Sequence, residues 1–209
     1  MAKTKTPLIR SEKQLAALAA AARQEIFDVL EQMGTVSVAE LAAALGRPAD
    51  ALYFHLRVLT RVGLVRNVGY RVRSGGQEAL YCTVAPDLRL QYEPHNAANR
   101  KGVSAIVSSM LRLTMRDFEG SFQPGNVLVS GAHRELWALR KVGRLTRVQL
   151  AKLNQRINGL VQDVAAPGGQ GRLYALTVIL TPLDHRNKVD RPAQPKQRAA
   201  LGTTKGRKK

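Results

Sequence analysis

Apolar residues recur every third or fourth position over residues 11–33, which is the period of a helix that buries one face. Ser11 and Gln14, at the start of this stretch, have the spacing of a capping box, and Gly34 follows its end. The sequence therefore predicts one long helix from about Ser11 to Met33.

The alanine-rich run at 15–22 lies behind a basic N-terminus and superficially has the layout of a signal peptide. Alanine is only weakly apolar, and the helical stripe continues past any cleavage point, so we interpret the run as part of a domain helix. Nowhere do about eighteen apolar residues follow one another, which excludes a membrane span on sequence grounds.

Two more helices are expected before the first run of alternating residues. Ser37 and Glu40 repeat the capping-box spacing and predict a short second helix that ends at a glycine. Pro48 suits the first turn of a third helix, where its missing N–H has no partner in any case. We expect this helix over 49–62, with Gly63 as its stop.

Residues 64–72 and 79–84 are predicted to be two strands, because turn residues at 74–77 join them in a hairpin signature. Cys82 alternates with apolar neighbours, so we expect its thiol in the core; a redox-sensing thiol is the alternative, although the pattern shows no basic neighbour for it. Helix, helix, turn, helix and hairpin is the order of a winged helix-turn-helix domain, expected over 11–85.

The second half of the chain mixes helical and extended patterns. Residues 98–119 have helical periodicity, and a capping box at Thr146 opens another amphipathic helix. Residues 126–145 between them fit short strands or a strand and a partial helix. Residues 173–180 are apolar on both alternating faces, which favours a covered strand. We therefore expect an α+β domain for dimerisation or effector binding over 98–185.

Three segments are expected to lie outside the two domains. Residues 1–10 and 186–209 are basic and poor in large apolar residues, which predicts disordered tails, and 86–97 is a proline-flanked linker. The expected fold class is α+β, with an N-terminal winged helix-turn-helix domain, a small α+β C-terminal domain and a disordered basic tail.

The net charge of +18 indicates a polyanionic partner, either nucleic acid or an anionic membrane surface. The two tails supply +3 and +8 of this charge, whereas residues 11–85 carry only +1. Five arginines nevertheless share one stretch without an acid: Arg57, Arg61, Arg66, Arg71 and Arg73. A nearly neutral domain therefore has a basic face, for which a solvated surface without a partner is the alternative. The C-terminal tail can add salt-sensitive affinity but no sequence specificity.

The third helix has a core face of leucines and an outer face that can enter a DNA major groove. Its outer residues are Asp50, Tyr53, Phe54, Arg57 and Arg61. Arg57 can reach guanine, Asp50 can accept from cytosine, and an aromatic ring can contact a thymine methyl. The alternative for each aromatic residue is packing against the second helix or the wing.

The hairpin carries a second set of candidate contacts around a glycine-rich tip. These residues are Arg66, Arg71, Arg73 and Gln77. The tip allows backbone and arginine side chains to approach phosphates or the minor groove. A hairpin without a nucleic-acid partner is the alternative.

Residues 51–65, ALYFHLRVLTRVGLV, resemble the recognition-helix signature of ArsR-type winged-helix repressors. The positions that fill the pattern His-Leu-x-x-Leu followed by Gly-Leu-Val are His55, Leu56, Leu59, Gly63, Leu64 and Val65. Tyr53 and Phe54 depart from the usual serine-led version. The resemblance covers about 11–85 and implies a homodimer on a two-fold operator, with bases contacted by the third helix and backbone by the wing.

The sequence offers no metal, cofactor or catalytic motif. Metal sensors of that family carry a Cys-x-Cys pair at the start of the second helix, where this chain has Ser37 and Ala39. The four histidines lack ligand spacing: His55, His95, His133 and His185. No phosphate-binding loop, paired carboxylates or serine elbow indicates an enzyme. Four aromatics of the second half either fill a core or line an effector pocket: Phe118, Phe122, Trp137 and Tyr174.

Besides an enzyme whose site the motifs do not reveal, two functions remain open. The first is a homodimeric transcription factor in a bacterial cytoplasm, bound to the nucleoid; the single Cys82 fits a reducing compartment. The helices that begin near Ala98 and Thr146 are candidates for the dimer contact. The second is a winged-helix module whose third helix binds a protein while the basic tails alone contact nucleic acid.

Overall fold

The computed structural model describes residues 8–73, 76–123, 127–165 and 171–183. The elements follow in the order β1 (Leu8–Ile9), α1 (Glu12–Leu18), α2 (Ala21–Met33), β2 (Val36–Ser37), α3 (Val38–Leu45), α4 (Asp50–Arg61), β3 (Val65–Arg73), β4 (Gly76–Thr83), β5 (Arg89–Leu90), α5 (Ala97–Gly120) and α6 (Arg147–Ala165). The chain divides into residues 1–177 and 178–209. Of the second unit, residues 178–183 are described and have no regular secondary structure.

The single helix expected over 11–33 is wrong, because the backbone at Ala20 is extended, with φ −98° and ψ 123°. The extended residue divides the stretch into two helices. α1 packs mainly against α5, and α2 packs against both α4 and α5. The Arg23 guanidinium donates to the carbonyls of Ala17 and Ala16 at 2.5 and 3.3 Å. It thereby satisfies two acceptors that the end of α1 leaves without helical partners.

The second and third predicted helices are confirmed as α3 and α4. The Ser37 hydroxyl accepts from the Glu40 N–H at 3.3 Å, and the Glu40 carboxylate accepts from the Ser37 N–H at 2.9 Å. Gly46 ends α3 in the left-handed region at φ +61°, and Gly63 does the same after α4 at φ +70°. The local chemistry of caps and glycines thus sets both helix lengths.

The predicted hairpin is confirmed as β3 and β4, which pair antiparallel with a bulge between Asn67 and Gly69. A third strand, β2, pairs antiparallel with the other edge of β4 and places Val36 opposite Tyr81. The sequence pattern missed β2 because two residues show no alternation. The hairpin tip at 74–75 lies outside the described residues.

Part of the expected N-terminal tail and part of the expected linker are ordered, so both boundaries are corrected. Leu8–Ile9 pairs parallel with Arg89–Leu90, and the Ile9 side chain is buried in the core. Pairing between two short segments so far apart in sequence leaves no local signal. Residues 1–7 lie outside the part of the chain that the structure describes.

α5 matches the helix predicted over 98–119, but it does not begin a separate domain. Its Val103 and Ile106 lie in the same buried cluster as α1 and α2. Gly102 allows this approach, since a Cβ there would lie 2.9 Å from the Cβ and Cδ1 of Leu15. The winged helix is therefore built on α5 as well as on the elements expected from the sequence.

The predicted helix after Thr146 is confirmed as α6, and the Gln149 side chain completes its capping box. No residue of α6 is buried. The strand expected over 173–180 is wrong: these residues have no regular structure and most of their apolar side chains are exposed. A strand needs hydrogen bonds to a neighbouring strand, and no strand lies beside this segment among the described residues.

The segment 127–145, for which two interpretations were open, contains neither helix nor strand. The expected α+β domain over 98–185 therefore contains no strand in its described part. The predicted disordered tail at 186–209 lies outside the described residues. No described helix has the length and hydropathy needed to cross a membrane.

Candidate nucleic-acid interface

α4 has two faces of opposite character. Leu52, Leu56 and Leu59 are buried to 1% exposure or less and fix the helix on the core. The five residues expected on the outer face are all exposed: Asp50, Tyr53, Phe54, Arg57 and Arg61. Asp50 lies in the first turn and Arg61 in the last, so the outer face extends over the whole helix.

A cleft of about 410 Å³ separates α4 from the hairpin. The residues that line it are Tyr53, Arg57, Thr60, Arg61, Asn67 and Tyr81. Neither Arg57 nor Arg61 has an ion pair or hydrogen bond to another described residue. Both guanidiniums therefore remain available to an incoming acceptor, beside the polar Asn67 of the wing.

The cleft contains three residues that the sequence reasoning missed: Thr60, Asn67 and Tyr81. Asn67 lies at the bulge, where its side-chain oxygen accepts from the Gly69 N–H at 2.8 Å. A bulge moves a strand residue out of strict alternation, so periodicity alone could not show which way it faces.

The two aromatic residues of α4 are exposed to 46% at Tyr53 and 61% at Phe54. Tyr53 lines the cleft together with Asn67 and Tyr81 of the wing. Phe54 contacts the His55 ring edge-on, with centroids 5.5 Å apart. Most of the Phe54 ring remains free for a partner.

Two arginines of the wing are already paired within the molecule. Arg71 donates to the carboxylates of Glu40 and Glu78 at 2.8 and 3.1 Å. Arg73 lies 3.3 Å from Glu40 and 3.7 Å from Glu78. The wing therefore carries less unmatched charge than its arginines indicate, and Glu40, expected only as a helix cap, belongs to this interface.

The other two wing residues are accessible. Gln77 is exposed on β4, opposite Val72. Arg66 pairs with Cys82 across the sheet, and its Nε donates to the Cys82 sulfur at 3.4 Å. The predicted burial of Cys82 is confirmed at 9% exposure, but the expectation that it lacks a basic neighbour is wrong.

A family model described as a helix-turn-helix domain matches residues 18–68, from the end of α1 into β3. Residues 18–68 are a helix-turn-helix domain. Domains of this kind occur in DNA-binding transcriptional regulators, whose second motif helix enters the major groove. The helix at that place in the motif of this chain is α4. The matched segment includes the whole outer face of α4 and the first residues of the wing.

Two further comparisons add little to the helix-turn-helix assignment. A crystal structure of a transcriptional regulator of the MarR family from Silicibacter pomeroyi is 15% identical, over 72% of this chain and 77% of that chain. Its TM-score is 0.29, at which the likeness carries no argument. No curated protein matches the chain.

The surroundings of the histidine within the helix-turn-helix domain disfavour its charged form. Burial, and then the charges of Arg23 and Arg47, lower the pKa of His55. Among the described residues, no group of three or more histidine, cysteine, aspartate or glutamate side chains is arranged to hold a metal ion.

The aromatics considered for an effector pocket do not meet at one site in the described residues. Phe118 and Phe122 contact each other edge-on, with centroids 5.3 Å apart, and line a cavity of about 200 Å³. Trp137 is 62% exposed, and the Arg134 guanidinium carbon lies 4.2 Å from the centroid of its ring. Tyr174 donates its hydroxyl to Glu135 at 2.6 Å.

Proposed function

We propose that the protein is a transcriptional regulator that binds double-stranded DNA with α4 in the major groove and the β3–β4 wing on the backbone or in the minor groove. The observation that carries the proposal is the cleft between α4 and the wing, where Arg57 and Arg61 have no carboxylate partner among the described residues. Unpaired guanidiniums on an exposed recognition helix are suited to base edges and phosphates.

The outer residues of α4 are proposed to make different DNA contacts according to their position along the helix. Arg57 lies in the middle of the outer face and is proposed to donate to guanine, while Asp50, at the first turn, accepts from cytosine. The exposed ring of Phe54 is placed to contact a thymine methyl. Arg61, near the wing, contacts phosphate and sets the register.

We also propose that the active form is a homodimer of the ArsR type, bound to a two-fold site on the bacterial nucleoid in the cytoplasm. Support comes from the resemblance of residues 51–65 to the ArsR-type recognition-helix signature and from the apolar face of α6. Leu160, Val161 and Val164 are each more than 40% exposed. A helix of nineteen residues with no buried side chain is marginal by itself, and a second copy of the chain can cover this face.

A duplex-binding titration over a range of salt concentrations tests the DNA proposal. The sites for this titration are selected from random duplexes. The protein without residues 186–209 should still prefer these sites, and the dependence of its affinity on salt should be shallower than that of the full chain. Arg57→Ala should reduce discrimination between sites by about 1–3 kcal/mol. Arg112→Ala, which removes the same charge from α5, is the matched control and should leave discrimination unchanged. Equal weakening on all sequences by Arg57→Ala would make Arg57 a phosphate contact instead.

The exposed Phe54 favours a second candidate, a winged-helix module that binds a protein through α4. In that case the basic tails alone contact nucleic acid. Removal of residues 186–209, the more basic of the two tails, would then abolish most duplex binding, and Phe54→Ala would leave duplex binding by the full chain unchanged.

A further inference from the structure

Glu40 uses its two carboxylate oxygens for two different tasks. Oε2 accepts from the Ser37 N–H at 2.9 Å and closes the capping box of α3. Oε1 lies 2.8 Å from Arg71 and 3.3 Å from Arg73 on the wing. The hydrogen bond from the Ser37 N–H orients the carboxylate so that its second oxygen lies beside the two guanidiniums.

The contacts of the Glu40 carboxylate favour its charged form. The hydrogen bond from the Ser37 N–H, and after it the Arg71 and Arg73 guanidiniums, hold the pKa of the carboxyl below its usual range. The two arginines face no cation on α3, and Glu78 is the only other described carboxylate within 4 Å of them.

A carboxylate and a phosphate are similar ligands for a guanidinium, since both present anionic oxygens to its planar set of donors. A duplex that approaches the wing therefore meets arginines whose donors are partly occupied. We propose that Glu40 competes with DNA phosphate for Arg71 and Arg73, and so lowers the contribution of the wing to sequence-independent binding. This inference rests on the proposed function and concerns the same interface.

The competition affects affinity rather than sequence preference. Phosphate contacts carry no base information, and their presence or absence changes binding to every duplex alike. Discrimination remains with α4, whose Arg57 and Arg61 have no such competitor among the described side chains. By weakening binding to random DNA, Glu40 increases the relative share of binding that depends on sequence.

The test is Glu40→Gln in the full chain, with a labelled random-sequence duplex as the probe. The glutamine oxygen can still accept from the Ser37 N–H, so the cap is kept and only the charge is lost. We expect affinity to rise roughly three- to tenfold at low salt. The slope of log affinity against log salt should steepen by up to about one for each additional phosphate that the freed arginines bind.

Two controls separate this effect from a general change in charge. Glu12→Gln removes the same charge from α1 and should alter affinity by much less. In a background of Arg71→Ala with Arg73→Ala, Glu40→Gln should have no effect, because its targets are gone. The double arginine variant alone should lose less than about threefold in affinity, a readout that holds even if Glu40→Gln folds poorly.

The outcomes distinguish the two proposals. If the full chain binds duplex and Glu40→Gln behaves as Glu12→Gln does, the Glu40 inference is wrong and the proposed function stands. A loss of affinity well above threefold in the double arginine variant would also overturn it, because Arg71 and Arg73 would then already bind phosphate. If the full chain binds no duplex at all, both proposals fail together.

Discussion

The winged helix and the region after residue 127 use apolar residues in opposite ways. In the first, one cluster buries leucines of four helices, and Leu30, Leu52 and Leu59 have no exposed surface. In the second, α6 buries nothing, and residues such as Leu139 are 72% exposed. The apolar side chains of the winged helix are buried by other elements of the same domain. The C-terminal region is also rich in apolar residues, but most of their side chains remain exposed. This difference favours a partner for the second region alone.

The largest expected effect tests whether the two regions differ in stability. Leu56→Ala should lower the free energy of unfolding of the winged helix by about 2–5 kcal/mol, because it leaves a cavity under α4. Leu160→Ala, at a residue 51% exposed on α6, should leave that unfolding transition where it is. Denaturant titration followed by circular dichroism measures both. Equal losses would show that α6 packs into the same core.

The next effect tests the proposed homodimer. Ile157 lies on the apolar face of α6, and Ile157→Asp would place an unpaired charge in any contact that covers this face. We expect dimer affinity to fall by a factor of about 100 or more, corresponding to about 3 kcal/mol. Light scattering coupled to size-exclusion chromatography measures the mass. Asn158→Asp, one position further on, is the control; a dimer that survives Ile157→Asp would exclude α6 as the contact.

The sequence predictions are more accurate for the winged helix than for the C-terminal region, because local signals determine the helices of the first region only. Ser37, Gly46 and Gly63 act within one turn of their own position, so their spacing alone predicted α3 and α4 closely. The α4 outer face followed from the period of its leucines. In the C-terminal region residues 173–180 are apolar, as a covered strand requires. A strand also needs a second strand to pair with, and a local sequence pattern cannot show whether one is present.

Contacts between distant segments account for the remaining errors. The pairing of Leu8–Ile9 with β5 and the meeting of Glu40 with Arg71 join residues from separate elements. The extended backbone at Ala20 is another such case, since alanine favours continued helix, and the two helices that it divides pack on α5. Local propensity was overruled there by tertiary structure.

A smaller effect tests the close approach of α1 and α5. Alanine normally stabilises a helix relative to glycine by about 1 kcal/mol. At Gly102, however, the added Cβ would lie 2.9 Å from the Leu15 side chain, so Gly102→Ala should destabilise the winged helix by about 1–2 kcal/mol. Gly159→Ala in α6 meets no atom within 4 Å and should cause no loss. Thermal unfolding of the two variants measures the difference, and a stabilised Gly102→Ala would show that the two helices can separate without cost.

The smallest effect is a pH dependence confined to the winged helix. Burial and the charges of Arg23 and Arg47 lower the pKa of His55 in the folded state, below the ordinary value of 6.5. Below that pH the histidine binds more protons in the unfolded state than in the folded state, so its own contribution to stability is complete above about pH 6.5 and decreases as the pH falls towards the folded pKa. Carboxylates also titrate as the solution becomes acidic, and the difference between wild type and His55→Gln isolates the histidine. Burial raises the pKa of Asp28 to about 7, so this carboxyl stabilises the fold as the pH falls over the same range. We therefore expect the unfolding free energy of wild type to decrease between neutral pH and about pH 5.5 only relative to that of His55→Gln, as measured by denaturant titration at both values. Parallel losses in the two proteins would mean that His55 accepts a proton in the folded domain as easily as in the unfolded chain.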